Sequence, residues 1–146
     1  MLGHGLRALS EQALEARIEL IEGYIPGALE RHPPFDAVMS NSLLHHLADP
    51  MVLWETIRRV TRPGAPVYVM DLRRPESDER ARAIVEEHAR DEPEVLRHDF
   101  YMSLHAAYTP SEVSAQLKAA GLDTLTVSLP SDRHLLVSGY VPGRES

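Results

Sequence analysis

With 146 residues, 43% of them apolar and 25% charged, the chain has the composition of one soluble domain, large enough to bury about two-thirds of its unfolded surface. A net charge of −7, with the basic residues spread along the chain, excludes a phosphate-backbone partner, so no nucleic acid is expected. The lack of cysteine excludes disulfides, thiolate metal sites and thiol nucleophiles, and with neither an apolar run of spanning length nor a leader-like start, no membrane is expected and cytoplasm is the expected compartment.

In chain order, Leu6, Leu9, Ala13 and Leu14 share one helical face, which Ile18, Ile21 and Ile25 continue. Glu11, Glu15, Glu19 and Glu22 lie opposite, so a single amphipathic helix runs to a break at Gly23 or Pro26 on this pattern. The pair Gly3 and Gly5 follows no strand and reads as a flexible terminus. Residues 1–34 form an N-terminal segment ending in the hinge Arg31-His32-Pro33-Pro34, and residues 35–146 form the main α/β unit.

Phe35 to Ser40 is an apolar run too short for a helix and reads as a buried strand. Ser40-Asn41-Ser42-Leu43-Leu44-His45-His46 then forms a loop, and Asp49 and Pro50 supply an N-cap and first position for a helix with Leu53, Ile57 and Val60 on its apolar face. Pro63-Gly64 ends that helix, and Val67 to Met70 returns as a parallel strand, making one βαβ unit. Ser77 caps a helix reaching about His88 or Ala89, with Asp78 and Glu79 in its first turn. Glu94 to Tyr108 reads as a short helical or irregular lid, and Thr109-Pro110-Ser111-Glu112 is a capping box for a helix that closes at Gly121. Two strands finish the chain, Thr124 to Leu129 and Leu135 to Val141, around the polar loop Asp132-Arg133-His134.

The order strand, Ser-Asn-Ser-Leu-Leu-His-His-Leu, Asp-Pro, helix, Arg62-Pro63-Gly64 and strand Val67-Tyr68-Val69-Met70-Asp71 resembles the second half of a class I S-adenosylmethionine-dependent methyltransferase. That resemblance, from about Ile18 to Tyr140, implies an incomplete Rossmann-like methyltransferase sheet, parallel strands followed by a C-terminal antiparallel hairpin. It also makes Ile18 to Gly23 an edge strand, against the helical reading of the same residues. The family's glycine-rich turn and second-strand acid do not occur in the sequence. At Tyr24, similar enzymes carry an aspartate that holds the adenine amino group. Tyrosine can stack on a purine but does not replace that acceptor.

The resemblance implies S-adenosylmethionine as cofactor, with Tyr24, Ser40, Asn41 and Ser42 as the cofactor-side residues that remain. Ser40 to Ser42 equally satisfy the backbone groups of a strand end. His46 is the candidate general base, and His45, Arg73, Tyr101, His105 and Tyr108 are candidates for the side of a small-molecule methyl acceptor. The bland alternatives are one packed and one surface histidine, an Asp71–arginine salt bridge, and a core face for Tyr101, His105 and Tyr108. No metal site is expected at these histidines, the nearby Asp49 being read as the N-cap of the next helix.

Three functions follow. The first is a methyltransferase-family chain, truncated and competent once the missing cofactor half is supplied. The second is a non-catalytic, degenerate relative that forms a homodimer or binds a partner through its exposed strand edge. The third is an unrelated small α/β binding protein.

Overall fold

The computed structural model describes residues 2–29 and 31–143, which fall in two compact units that divide between His32 and Pro33. In the first unit, α1 (Leu2–Glu11) is shorter than the apolar stripe suggests. Ala13 takes a left-handed conformation (φ 54°), and the N–H groups of Leu14 and Ala13 donate to the carbonyls of Leu9 and Ser10. This is a Schellman stop, which satisfies the last carbonyls and turns the chain away. The Leu6 side chain of the expected stripe lies outside the described residues.

Residues 18–23 form neither the continued helix nor an edge strand. No strand pairs with them among the described residues, and an extended segment without a ladder partner gains nothing over irregular structure. Ile18 and Tyr24 remain exposed, Tyr24 at 93%. A 3-10 turn at Gly27–Leu29 ends the unit.

The second unit contains a four-stranded sheet, among the described residues, in the order β1 (Val38–Asn41), β2 (Pro66–Leu72), β4 (His134–Tyr140), β3 (Thr126–Ser128). β1 and β2 run parallel, with Val38 opposite Val67 and Asn41 opposite Met70. β2 with β4 and β4 with β3 are antiparallel. The first strand starts later than its apolar run, because Phe35 makes a single bridge to Thr61 before the ladder begins.

Alternation along β2 buries Val67, Val69 and Asp71 on one face and exposes Pro66 and Tyr68 on the other. Leu135 and Val137 of β4 continue the buried face. α2 (Met51–Val60) and α5 (Pro110–Ala119) supply its apolar layer through Leu53, Trp54, Ile57, Val113 and Leu117. The Trp54 indole N–H donates to Gln116 Oε1 at 2.9 Å and ties the two helices. The opposite face keeps Met39, Tyr68 and Tyr140 exposed.

The helix starts follow the sequence signals. Met51 is the first residue of α2, one position later than expected, yet Asp49 still caps it by accepting the Met51 N–H at 2.9 Å. Ser77 accepts from Arg80 N–H at the start of α3 (Asp78–Ala89). The segment read as a lid is a full helix, α4 (Glu94–Ala106). It packs on α3 through Leu104 against Ala81, Ile84 and Val85, with Phe100 alongside.

α5 begins with the complete capping box of Thr109 and Glu112. It ends where Gly121, at φ 66°, lets Leu122 N–H reach the Leu117 carbonyl at 2.8 Å. The Thr109 N–H, 2.7 Å from Glu112, holds that carboxyl below its usual range despite the opposing effect of burial. Thr109→Ala is expected to lower stability by about 1 kcal/mol in urea unfolding at neutral pH, the usual effect of losing such a cap. No helix among the described residues is long and apolar enough to cross a membrane.

Candidate active site

The site forms at the carboxyl ends of β1 and β2, the position at which open α/β sheets hold ligands. After Asn41 the chain turns through Ser42, left-handed at φ 53°, whose N–H donates to the Met70 carbonyl at 2.9 Å. A single 3-10 turn, Leu44–His46, follows. Alternation along β1 puts Ser40 on the face of Val38 and Asn41 on the face of Met39, where Asn41 is exposed.

The turn is fastened by Asp71. Its place after Val67 and Val69 in the alternation of β2 sends its carboxylate to the buried face, where it is 1% exposed. A carboxylate there needs donors, and it has three. Leu44 N–H donates to Oδ2 at 2.7 Å, Leu72 N–H to Oδ1 at 2.8 Å, and His45 Nδ1 lies 2.6 Å from Oδ1.

A carboxylate accepts, so His45 Nδ1 is the donor of this contact, and in the neutral form of the ring the lone pair then lies on Nε2. His45 is buried at 9% exposure, while His46 is exposed, its ring centroid 3.9 Å from that of His45. This arrangement, an aspartate-oriented histidine at a strand end, is one that accepts protons.

Other sequence candidates fall into three groups. Tyr108 joins the site from the α4–α5 junction, where its hydroxyl donates to the Leu47 carbonyl at 3.0 Å and burial, ahead of the nearby Asp49, pushes its phenol pKa up. Tyr101 and His105 instead engage Asp78 of α3, the tyrosine through its hydroxyl and the histidine at 3.4 Å. Arg82 lies over the Tyr101 ring at 5.0 Å. Tyr24 belongs to the separate N-terminal unit. The expected Asp71–arginine pair does not form, since Asp71 takes His45, and Arg74 takes Glu112 at 2.9 and 3.0 Å and the Ala107 carbonyl at 2.9 Å.

What sequence reading missed was the partnership of Asp71 with His45. The signal was the parity of Val67, Val69 and Asp71, which turns Asp71 toward the buried face where it meets His45.

Two clefts lie elsewhere. One, of about 670 Å³, is bordered by Arg58, Arg59, Gly121 and Asp123 at the far ends of α2 and α5. The other, of about 630 Å³, lies over Met39, Tyr68 and Tyr140 on the uncovered sheet face. Neither presents a buried polar group of the kind Asp71 and His45 make. A possible metal-ligand group, Glu87, His88 and Asp132, has ligand atoms within 4.8 Å of one another. Arg80 already holds Asp132 at 3.0 Å and Arg133 lies 2.9 Å from His88 Nε2, so guanidinium charge occupies the place a cation needs.

His134 opens β4 opposite Leu72, with Nδ1 2.8 Å from Ser131 Oγ. Burial, and then the adjacent Arg133, lower its pKa from the ordinary 6.5. The folded protein thus takes up this proton at lower pH than the unfolded chain. The associated stability is full above 6.5 and is lost as pH falls through the lowered value. Urea midpoints are expected to drop between about pH 7 and about pH 5. His134→Gln is expected to drop less steeply, and an unchanged slope would show that the proton is taken up elsewhere.

An open α/β sheet, two parallel strands continued by an antiparallel hairpin, with a polar dyad at its carboxyl ends, is an incomplete Rossmann-like methyltransferase fold. Residues 6–69 match the methyltransferase domain family. No curated protein matches the chain.

The solved SAM-dependent methyltransferase from Aquifex aeolicus is similar over 95% of this chain and 62% of its own, at 18% identity and a TM-score of 0.60. An O-methyltransferase family protein from Burkholderia thailandensis is similar over 97% of this chain and 41% of its own, at 16% identity and a TM-score of 0.65. PigF, solved with SAH, is similar over 90% of this chain and 38% of its own, at 19% identity and a TM-score of 0.57. The chain thus spans less than two-thirds of the length of these structures. The chain shares the fold of these S-adenosylmethionine-dependent methyltransferases, and its residues 6–69 are similar to the methyltransferase domain family.

Proposed function

We propose that this chain forms the acceptor side of an S-adenosylmethionine-dependent methyl transfer to a small molecule, with His45 as the proton-accepting residue. The observation that carries this reading is the 2.6 Å contact between His45 Nδ1 and Asp71 at the carboxyl ends of the parallel strands. The family match supports the reaction class.

The residues present fit the methionine end of the cofactor. Asn41 offers an exposed polar side chain at the end of β1, and the chain turns at Ser42, left-handed and exposed. Ser42 N–H is already committed to Met70, so Ser42 would act through its side chain. The adenosine end has no such counterpart: the sequence holds no glycine-rich turn after a strand, and Tyr24 is 93% exposed.

When bound, the cofactor supplies a methyl group made electrophilic by its sulfonium. The chain supplies the proton path. Asp71 fixes the Nδ1–H form of His45, so the Nε2 lone pair takes the proton of an acceptor hydroxyl or amine. The imidazolium that results is balanced by the Asp71 carboxylate, which the Leu44 and Leu72 N–H groups hold in place. Tyr108 braces the far end of the turn through Leu47. His46, on the exposed side, borders the acceptor.

The test is the conversion of S-adenosylmethionine to S-adenosylhomocysteine in the presence of a pool of small phenols, amines and hydroxy acids. His45→Asn is expected to lower the rate by about a hundredfold or more, the usual worth of a positioned base. His46→Asn should have a far smaller effect. A rate that survives in His45→Asn rules out His45 as the base.

A further inference from the structure

Arg73 stands two residues beyond Asp71, and its backbone is held from both sides. Its N–H donates to the Arg133 carbonyl at 2.9 Å, and it forms a parallel bridge to Tyr108. Tyr108 in turn holds Leu47, the residue that closes the histidine turn. Arg73, Tyr108 and the His45–Asp71 pair therefore belong to one hydrogen-bonded frame.

The Arg73 side chain is half-buried, and its Nε is buried without a hydrogen-bond partner. Among the described residues, Arg74, Arg80, Arg82, Arg90 and Arg97 each meet a carboxylate within 3.0 Å. Arg97 also leaves its Nε unpaired, but its guanidinium is anchored on Glu86. No ion pair is formed by Arg73 among the described residues, in a protein whose net charge is −7. Acids are abundant, so the isolation of this guanidinium is set by its position. A buried cationic N–H without an acceptor is unfavourable, and a guanidinium fork is shaped for a carboxylate or a phosphate.

We propose that Arg73 is the specificity residue of the acceptor subsite, and that the small molecule taken here carries a carboxylate or phosphate group held by the Arg73 guanidinium. This rests on the reading of the His45 turn as the acceptor site. The net-negative protein otherwise repels such molecules, which makes one unpaired cation at the site decisive for which of them bind. The same chemistry is presented by the carboxylate of the cofactor's methionine moiety, and the test separates the two sources.

The experiment is an NMR titration of the whole chain with benzoate and with phenyl phosphate, reading the Arg73 Nε–H resonance. A parallel titration uses S-adenosylhomocysteine and 5′-methylthioadenosine, which lacks the carboxylate. Both anions are expected to shift the Arg73 signal at millimolar concentration. Arg73→Gln should weaken their binding by about tenfold or more, the loss of a charge-assisted hydrogen bond. Arg73→Lys should restore part of it and guards against a loss of fold, and Arg62→Gln, which breaks an exposed pair with Asp36, should change nothing.

An Arg73 signal indifferent to both anions, or equal binding by Arg73→Gln, overturns the proposal. So does a loss confined to S-adenosylhomocysteine, which would assign the guanidinium to the cofactor. Anion binding at the Arg73 resonance reports on Arg73, and the rate of methyl transfer in His45→Asn reports on the base, so the two readings fail separately.

Discussion

Asp71→Ala is expected to lower stability by about 3 kcal/mol or more, because it leaves three buried donors without an acceptor. Leu44 N–H, Leu72 N–H and His45 Nδ1 all converge on this carboxylate, and at 1% exposure no solvent path replaces it. His45→Ala removes only one of those donors, so its loss should be clearly smaller. Asp71→Asn retains one acceptor oxygen but turns an N–H₂ toward backbone donors, and is expected to fall between them. Urea unfolding of the three variants gives the order directly. Equal losses for Asp71→Ala and His45→Ala would mean that the backbone contacts contribute nothing.

Trp54→Ala is expected to remove about 3 to 5 kcal/mol, the range for truncating a fully buried large aromatic. The ring is 0% exposed beneath α5, and no neighbouring side chain on α2 can move into its volume without leaving its own. Trp54→Phe restores most of the apolar volume but leaves Gln116 Oε1 without the indole N–H, for a loss of about 1 to 2 kcal/mol. A Trp54→Ala loss below about 1 kcal/mol would show that α2 and α5 close over the gap.

The elements with local signals were legible in the sequence. Ser77, Thr109 with Glu112, and Gly121 mark helix ends because capping is decided within a few residues, and α3 and α5 fall where these signals put them. The parallel pairing of the Val38 and Val67 strands also followed from sequence, because one helix of crossover length lies between them. The N-terminal stretch did not. Its apolar stripe runs past Glu11, but the helix stops where Ala13 turns left-handed, and the edge strand at residues 18–23 depends on neighbouring strands that are absent among the described residues.

The site was half legible. Ser40 to His46 and Arg73 lie at the carboxyl ends of β1 and β2, as their place after two apolar runs implies. The role of Asp71 was hidden because its nearest cations in sequence are Arg73 and Arg74. Strand parity turns it toward a histidine 26 positions away instead. Whether an acid meets its sequence neighbour or a distant ring is settled by sheet register, which pattern alone does not carry.

The most direct measurement is an NMR titration of the chain with S-adenosylhomocysteine, following the backbone amides. Binding at the sheet's carboxyl ends predicts shifts at Ser40 to His46 and at Asp71 to Arg73, with the α2–α5 cleft around Arg58 unaffected. Shifts confined to that cleft or to the Met39–Tyr68 face, or none anywhere as the ligand is raised to millimolar concentration, would contradict a methyl-transfer site at the end of β1.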